Sequence, residues 1–251
     1  MIVYKSAEEI DRMRTAGRIV AATIDRVVSN VRPGVTTALL DSVAEGCIVE
    51  RAATPSFKGY RGFPASICTS INDEVVHGIP SEKRVLKEGD VLSLDFGAIW
   101  AGFHADAAVS VFVGDPPSSE AEKLLRVTRG SLEAGIAQIR PGGRLSDISN
   151  AIQQVVEGAG FSVVREYVGH GIGRSLHEEP QIPNYGPPGR GPELKPGLVI
   201  AIEPMVNVGD WPTRVLADQW TVVTQDGSLS AHFEHTIAVT EDGHEVLTAP
   251  D

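Results

Sequence analysis

The chain has 251 residues, 42% of them hydrophobic and 22% charged, the make-up of a globular protein long enough to bury a large core. A formal net charge of −11 argues against nonspecific affinity for nucleic acid or anionic membrane. The two cysteines, Cys47 and Cys68, provide neither a disulfide framework nor a zinc-type cluster, which fits a reducing compartment.

The N-terminus enters a charged amphipathic helix with no signal-peptide pattern and no bilayer-length apolar run, so the expected location is the cytoplasm, away from membranes. Ser6-Ala7-Glu8-Glu9 is a capping box, in which hydroxyl and carboxylate satisfy helix-start amides reciprocally. Ile10, Met13, Gly17, Val20, Ile24, Val27 and Val28 then share one helical face, until Arg32-Pro33-Gly34 stops the helix. Thr36 or Thr37 caps a second helix running to about Ala53, with Leu40, Val43, Ala44, Cys47 and Ile48 on its core side. Strand-type sequence follows at 66–71, 91–96 and 105–113.

The order then repeats. Ser118-Ser119-Glu120 opens a helix through Leu124, Leu125, Val127, Leu132 and Ile136, and Arg140-Pro141-Gly142 breaks it. Ser146 or Asp147 begins another through Ile148, Ile152, Val155 and Val156, ending near Gly158 and Gly160. Strands are predicted at 161–167, 198–208, 220–224 and 230–240. The repetition is also literal. Lys87-Glu88-Gly89-Asp90-Val91 and the apolar run to Asp95 match Lys195-Pro196-Gly197-Leu198-Val199 and the run to Glu203, 108 residues later. Arg32-Pro33-Gly34 and Arg140-Pro141-Gly142 obey the same offset. The expected fold is a duplicated α/β (α+β) unit forming one domain over 1–251, with related halves at about 1–113 and 114–251.

Each half delivers an acid at the end of a buried-type strand, where an unpaired carboxylate is costly. Asp95 and Asp106 flank a tight turn near Trp100-Ala101-Gly102. A hairpin centred between Trp100 and Ala101 sets them directly opposite on one face, where like charges repel. Glu203 follows Val199-Ile200-Ala201-Ile202, and Glu234 lies within Phe233-Glu234-His235-Thr236-Ile237. His170 sits in Gly169-His170-Gly171-Ile172-Gly173, His177 lies seven residues on, and His77 has a similar glycine-flanked context in Val76-His77-Gly78. His104, His232, His235 and His244 read as ordinary histidines. Four carboxylates with one or two imidazoles and no thiolate make a hard, oxygen-rich ligand set suited to Mn(II), Fe(II) or Co(II), with Zn(II) also admissible. Four acids suit two ions sharing bridging carboxylates, and hydrolysis of an amide or phosphoester is the chemistry such a pair performs.

These residues carry a resemblance. Ser70-Ile71-Asn72, Val75-Val76-His77-Gly78-Ile79-Pro80, Asp95-Phe96-Gly97 with Asp106, Gly169 to Gly173, His177-Glu178-Glu179-Pro180, Ile202-Glu203-Pro204-Met205 and Phe233-Glu234-His235-Thr236 appear in order. Together they resemble the type I methionine aminopeptidases. The resemblance implies the pseudo-twofold "pita-bread" fold, a curved antiparallel sheet covered by two helix pairs. It implies two divalent ions on Asp95, Asp106, His170, Glu203 and Glu234, with Asp106 and Glu234 touching both, and a water activated there for attack on the scissile carbonyl. It makes Glu203 a proton relay, and His77 and His177 the groups that hold the scissile bond and stabilise the tetrahedral intermediate. By motif match the methionine pocket is Phe57, Tyr60, Phe63, Cys68, Leu176 and Trp220, although many relatives carry cysteine in place of Phe57 and an aromatic in place of Leu176. It further implies a monovalent cation near Asn72, preference for a small second residue, nascent-chain substrates with transient ribosome contact, and a monomer of the short bacterial type. A proline-specific peptidase and a non-enzymatic binding protein on the same fold are the alternatives; the first usually has a large extra N-terminal domain, and the second generally lacks metal ligands.

Overall fold

The computed structural model describes residues 1–250. Among these residues, four α-helices and a set of antiparallel strands make up the fold. Helix α1 (Ala7–Val28) starts at the capping box: the Glu9 N–H donates to Ser6 Oγ at 3.3 Å, and the Ser6 N–H donates to Glu9 Oε2 at 3.0 Å. Helix α2 (Thr37–Val49) is capped by Thr36 and ends earlier than expected, because the chain turns back through Ala52 at φ 55°. Helix α3 (Ser119–Ile136) is capped by the Ser118 hydroxyl. Helix α4 (Leu145–Gly158) starts one residue before the predicted serine, with Asp147 accepting from the Arg144 N–H at 3.0 Å.

The 108-residue repeat reappears in the hydrogen bonding. Gly34 N–H donates to the Leu86 carbonyl at 2.8 Å, and Gly142 N–H donates to that of Leu194 at 2.9 Å. The isolated bridges Thr36–Val85 and Arg144–Glu193 are spaced alike. In each loop the glycine after proline adopts a left-handed φ, 87° at Gly34 and 81° at Gly142, which lets the break between paired helices be tight. Apolar side chains from 16–113 form one core cluster and those from 124–239 another. A third cluster mixes the two, joining Met13, Phe57, Phe63 and Cys68 to Ile172, Leu176 and Val199. Helix α1 packs on the strands Val91–Trp100 and Phe103–Phe112, and α3 on Ser230–His232 and Met205–Asn207.

Two larger sheets carry the site. In the first half, Val91–Trp100 pairs with Ile67–Ile71, Phe103–Phe112 and Thr54–Pro55. In the second, Val199–Ile202 lies between His235–Val239 and Gly169–Gly171. The halves are stitched where their strands meet: Glu234 N–H donates to the Ala108 carbonyl at 2.9 Å, and Ala108 N–H returns to the Glu234 carbonyl at 3.3 Å.

Several expectations are corrected. The hairpin is centred on Ala101-Gly102, so Gly97 faces Asp106 and Asp95 faces Ala108; the two acids are diagonal rather than directly opposite. Both turn residues have positive φ, 48° and 82°, the two-residue turn whose twist matches the flanking strands. The register moves by two positions, which keeps both acids on one face. The predicted 198–208 strand breaks after Ile202, at Glu203-Pro204, where proline has no N–H for a ladder. The 230–240 strand breaks at Phe233-Glu234, and only Ser162–Val163 of 161–167 is strand. His170 sits in the short strand Gly169–Gly171.

The glycines around His170 have a steric reason. A Cβ at Gly169 meets the Ala201 carbonyl oxygen at 2.4 Å, and one at Gly171 meets that of Glu179 at 2.2 Å. Both neighbours are backbone of adjoining strands, so relief requires the strands to part. Gly171→Ala is expected to destabilise the fold by about 1–3 kcal/mol or more, read from urea unfolding. A stability within about 0.5 kcal/mol of the parent would contradict this packing account.

Candidate active site

The breaks and the hairpin aim four carboxylates into one cavity. Asp95 and Asp106 come from the hairpin strands, Glu203 from the residue after Val199–Ile202, and Glu234 from the break between Ser230–His232 and His235–Val239. His170 joins them from the neighbouring strand, where it pairs with Ala201. Asp106, His170 and Glu234 are buried, at 3%, 6% and 3% exposure, and each presents a ligand atom within 4.8 Å of the others. His170 Nε2 lies 3.6 Å from Asp106 Oδ2 and 3.5 Å from Glu203 Oε1.

Tautomer and satisfaction both favour a cation. His170 Nδ1 is 2.9 Å from the Gly171 carbonyl, which can only accept; Nδ1 therefore carries a proton, and Nε2 is the nitrogen that faces the acids and is placed to ligate a metal. Thr236 holds Asp106: its hydroxyl accepts from the Asp106 N–H at 3.0 Å and lies 2.8 Å from the Asp106 carbonyl and 3.0 Å from Oδ1. Asp95 Oδ1 is buried without a hydrogen-bond partner. Burial pushes Asp95, Glu203 and Glu234 well above the ordinary carboxylate range, and repulsion from neighbouring acids adds to it. Burial also raises Asp106, against the opposing pull of His170 and Thr236. Such a cluster is stabilised by divalent metal, and with one imidazole and no thiolate among those five groups the donors fit hard ions.

The remaining side chains singled out in the sequence line the same cavity, of about 160 Å³. Phe57, Phe63, Cys68 and Leu176 are its buried apolar wall, and Tyr60 and Trp220 are half-buried; Phe63 and Trp220 meet edge to face at 5.1 Å. Burial holds the Cys68 thiol far above its usual range, so it presents a neutral soft surface. His77 has φ 62° and sets its ring edge-on to Tyr167 at 5.7 Å; burial lowers its pKa to about 4, so it is neutral at pH 7. His177 stacks on Tyr60 at 5.4 Å, with the Tyr60 hydroxyl 2.9 Å from Nδ1, and lies 4.2 Å from the His170 ring. His177 stands exposed at the cavity mouth, yet the protein on its inner side desolvates the ring and lowers its pKa to about 3, with a contribution from His170. With the Tyr60 hydroxyl as donor, the His177 ring proton sits on Nε2. His104, His232, His235 and His244 stay outside the cavity lining.

Sequence reasoning missed two residues. Thr236 reads as an ordinary strand former, and its hydroxyl becomes informative only once the strand lies beside Asp106. Arg61 lines the cavity from a glycine-flanked turn, a context that reads as solvated loop.

Comparison with known proteins agrees with this geometry. A family model described as metallopeptidase family M24 matches residues 11–241, and the chain belongs to that family. Within it, the chain is 56% identical to methionine aminopeptidase 1 of Bacillus subtilis (strain 168) over 248 residues, covering 99% of both chains. It is 55% identical to the methionine aminopeptidase of Clostridium acetobutylicum, again over 99% of both. The crystal structure of methionine aminopeptidase from Thermotoga maritima superposes with a TM-score of 0.97 at 49% identity, covering 99% of each chain. A prolidase from Pyrococcus furiosus, at 20% identity and a TM-score of 0.78, shares the pita-bread fold; this chain covers 66% of its length.

Proposed function

We propose that this protein is a metal-dependent methionyl aminopeptidase that removes N-terminal methionine from peptides and nascent chains, preferring a small second residue. The observation that carries the reading is the joining of five ligand-type side chains and an apolar, sulfur-containing slot in one cavity, with Asp95 Oδ1 unpartnered. Near-complete coverage of methionine aminopeptidases at more than 50% identity supports it.

In this reading Asp95, Asp106, His170, Glu203 and Glu234 would hold two divalent ions, Mn(II), Fe(II) or Co(II), with Zn(II) also fitting the donor set. Metal bound there would supply Lewis acidity to water and to the scissile carbonyl. The apolar slot takes the methionine side chain, whose thioether packs well against aromatics and sulfur. The free α-amine faces the acids, which restricts cleavage to a chain end. Glu203 takes the proton from the attacking water and passes it to the departing amine. His77 and His177, both neutral, donate hydrogen bonds to the scissile region as oxygen charge develops.

The same proposal treats residues 1–251 as one catalytic domain of two related halves, about 1–113 and 114–251, supported by the shared 108-residue spacing of hydrogen bonds. It includes a monovalent cation near Asn72, whose carbonyl accepts from Ser230 N–H at 2.9 Å and keeps a second lone pair. It describes a cytoplasmic monomer that meets its substrates at the ribosome; no helix among the described residues is long and apolar enough to cross a membrane.

A peptide series tests the assignment. Met-Ala-Ser is expected to be cleaved, and Met-Leu-Ser, Leu-Ala-Ser and Ala-Pro-Ser to be cleaved slowly or not at all. Preference for Ala-Pro-Ser would instead indicate a proline-specific peptidase.

The raised carboxylates also make metal binding a stability effect with a defined sign. A group whose folded pKa is raised favours the fold most below its unfolded pKa, and that advantage is lost as pH rises through the folded value. The metal-free protein therefore carries an increasing penalty from this cluster as pH rises, and metal relieves it. Saturating Mn(II) is expected to raise Tm by roughly 5–10 °C at a hundredfold excess over Kd. The gap between the Mn(II) and EDTA curves should widen from pH 5 to pH 8; a gap independent of pH would contradict the account.

A further inference from the structure

Among the residues lining the cavity only Arg61 and His177 are exposed, so the cavity opens on their side. We propose that Arg61 receives a carboxylate side chain at the third residue of the substrate, so that the enzyme favours acidic peptides at that position; the proposal rests on the aminopeptidase reading.

The geometry places Arg61 downstream of the scissile bond. The methionine slot runs inward to Phe57, Phe63, Cys68 and Leu176, so the rest of the peptide leaves through the mouth, past His177. Tyr60 stacks on His177 at 5.4 Å, and the Arg61 guanidinium carbon lies 5.3 Å from the Tyr60 ring centroid. Arg61 is thus one aromatic ring beyond the histidine that holds the scissile region. An extended chain advances roughly 3.3 Å per residue, so the third residue is the first whose side chain can clear the His177–Tyr60 pair.

Chemistry and backbone agree with that placement. Among the described residues, Arg61 is the sole lysine or arginine lining a cavity otherwise made of acids, histidines, aromatics and apolar groups. It lies against the Tyr60 ring face and close enough to His177 to act on it electrostatically, and no carboxylate among the described residues is bonded to it, which leaves the guanidinium fork open to one from the substrate. Residue 61 stands at φ 49°, ψ 23°, between Gly59 at φ 85° and Gly62 at φ 90°. Glycine or asparagine meets that left-handed geometry more readily, so the turn itself does not call for an arginine.

The test compares kcat/KM for Met-Ala-Asp-Ala-NH2, Met-Ala-Asn-Ala-NH2 and Met-Ala-Lys-Ala-NH2 on the Mn(II)-loaded enzyme, in low salt and in 0.5 M NaCl. A solvent-exposed pair predicts a preference of about two- to fivefold for Asp over Asn, with Lys below Asn. That preference should shrink towards one in high salt. Arg61→Gln is expected to bring the Asp:Asn ratio to one, and Arg61→Glu to invert the Asp:Lys order. Met-Ala-Ala with a free or an amidated C-terminus shows whether a main-chain carboxylate serves in place of a side chain; a preference for the free acid that Arg61→Gln removes supports the same site. An Asp:Asn ratio of one in the parent, or one unaltered by either substitution, overturns the proposal while leaving the aminopeptidase reading intact. Failure to cleave any of the peptides overturns both.

Discussion

Replacing Asp106 with alanine is expected to lower kcat/KM for Met-Ala-Ser by at least about 10³-fold, roughly 4 kcal/mol of transition-state stabilisation, with bound metal lost in parallel. Asp106 is buried at the join between the halves, opposite Gly97 on the hairpin and held by Thr236 from the other half. In the proposed assignment it would be a metal ligand, so its removal leaves Asp95, Glu203 and Glu234 repelling one another around an incomplete site. His170→Ala should act similarly, because it removes the ring nitrogen that faces the acids. Metal analysis beside kinetics separates causes: an Asp106→Ala protein that keeps its full complement of tightly bound metal would contradict the ligand role, whatever its rate.

His77→Ala is expected to behave differently. His77 lines the cavity outside the acid cluster, neutral and edge-on to Tyr167. Loss of one positioned donor to a developing oxyanion typically costs about 10²–10³ in kcat, and metal content should stay near normal. His177→Ala is expected to follow the same pattern, with an added effect on KM because the ring also braces Tyr60 in the methionine slot. Equal metal loss in Asp106→Ala, His170→Ala and His77→Ala would show that His77 has been given the wrong role.

Much of the architecture was legible because its signals are local. Ser6 and Glu9 announce α1 three residues apart, and the two Arg-Pro-Gly breaks mark each helix pair. The acids were legible because a carboxylate ending an apolar run is improbable without a partner. The Asp95–Asp106 register was not, since it turns on which residues accept a positive φ, and Ala101 accepts one where alanine gives no hint of it. The short strands Glu74–Val76 and Thr213–Val215 exist only through pairing with Val222–Thr224, a partner remote in sequence from the first of them. Thr236 and Arg61 escaped for a related reason. Neither residue type is unusual in its own segment, and each matters only beside groups that folding brings to it.

The most direct test of the central claim is methionine release by metal-stripped protein, with Mn(II), Fe(II), Co(II) or Zn(II) returned singly, using Met-Ala-Ser and Leu-Ala-Ser. Metal-dependent methionine aminopeptidase activity predicts no release without metal, and with metal release from Met-Ala-Ser alone. Full activity in the stripped protein, or no cleavage with any of the four ions, would contradict it.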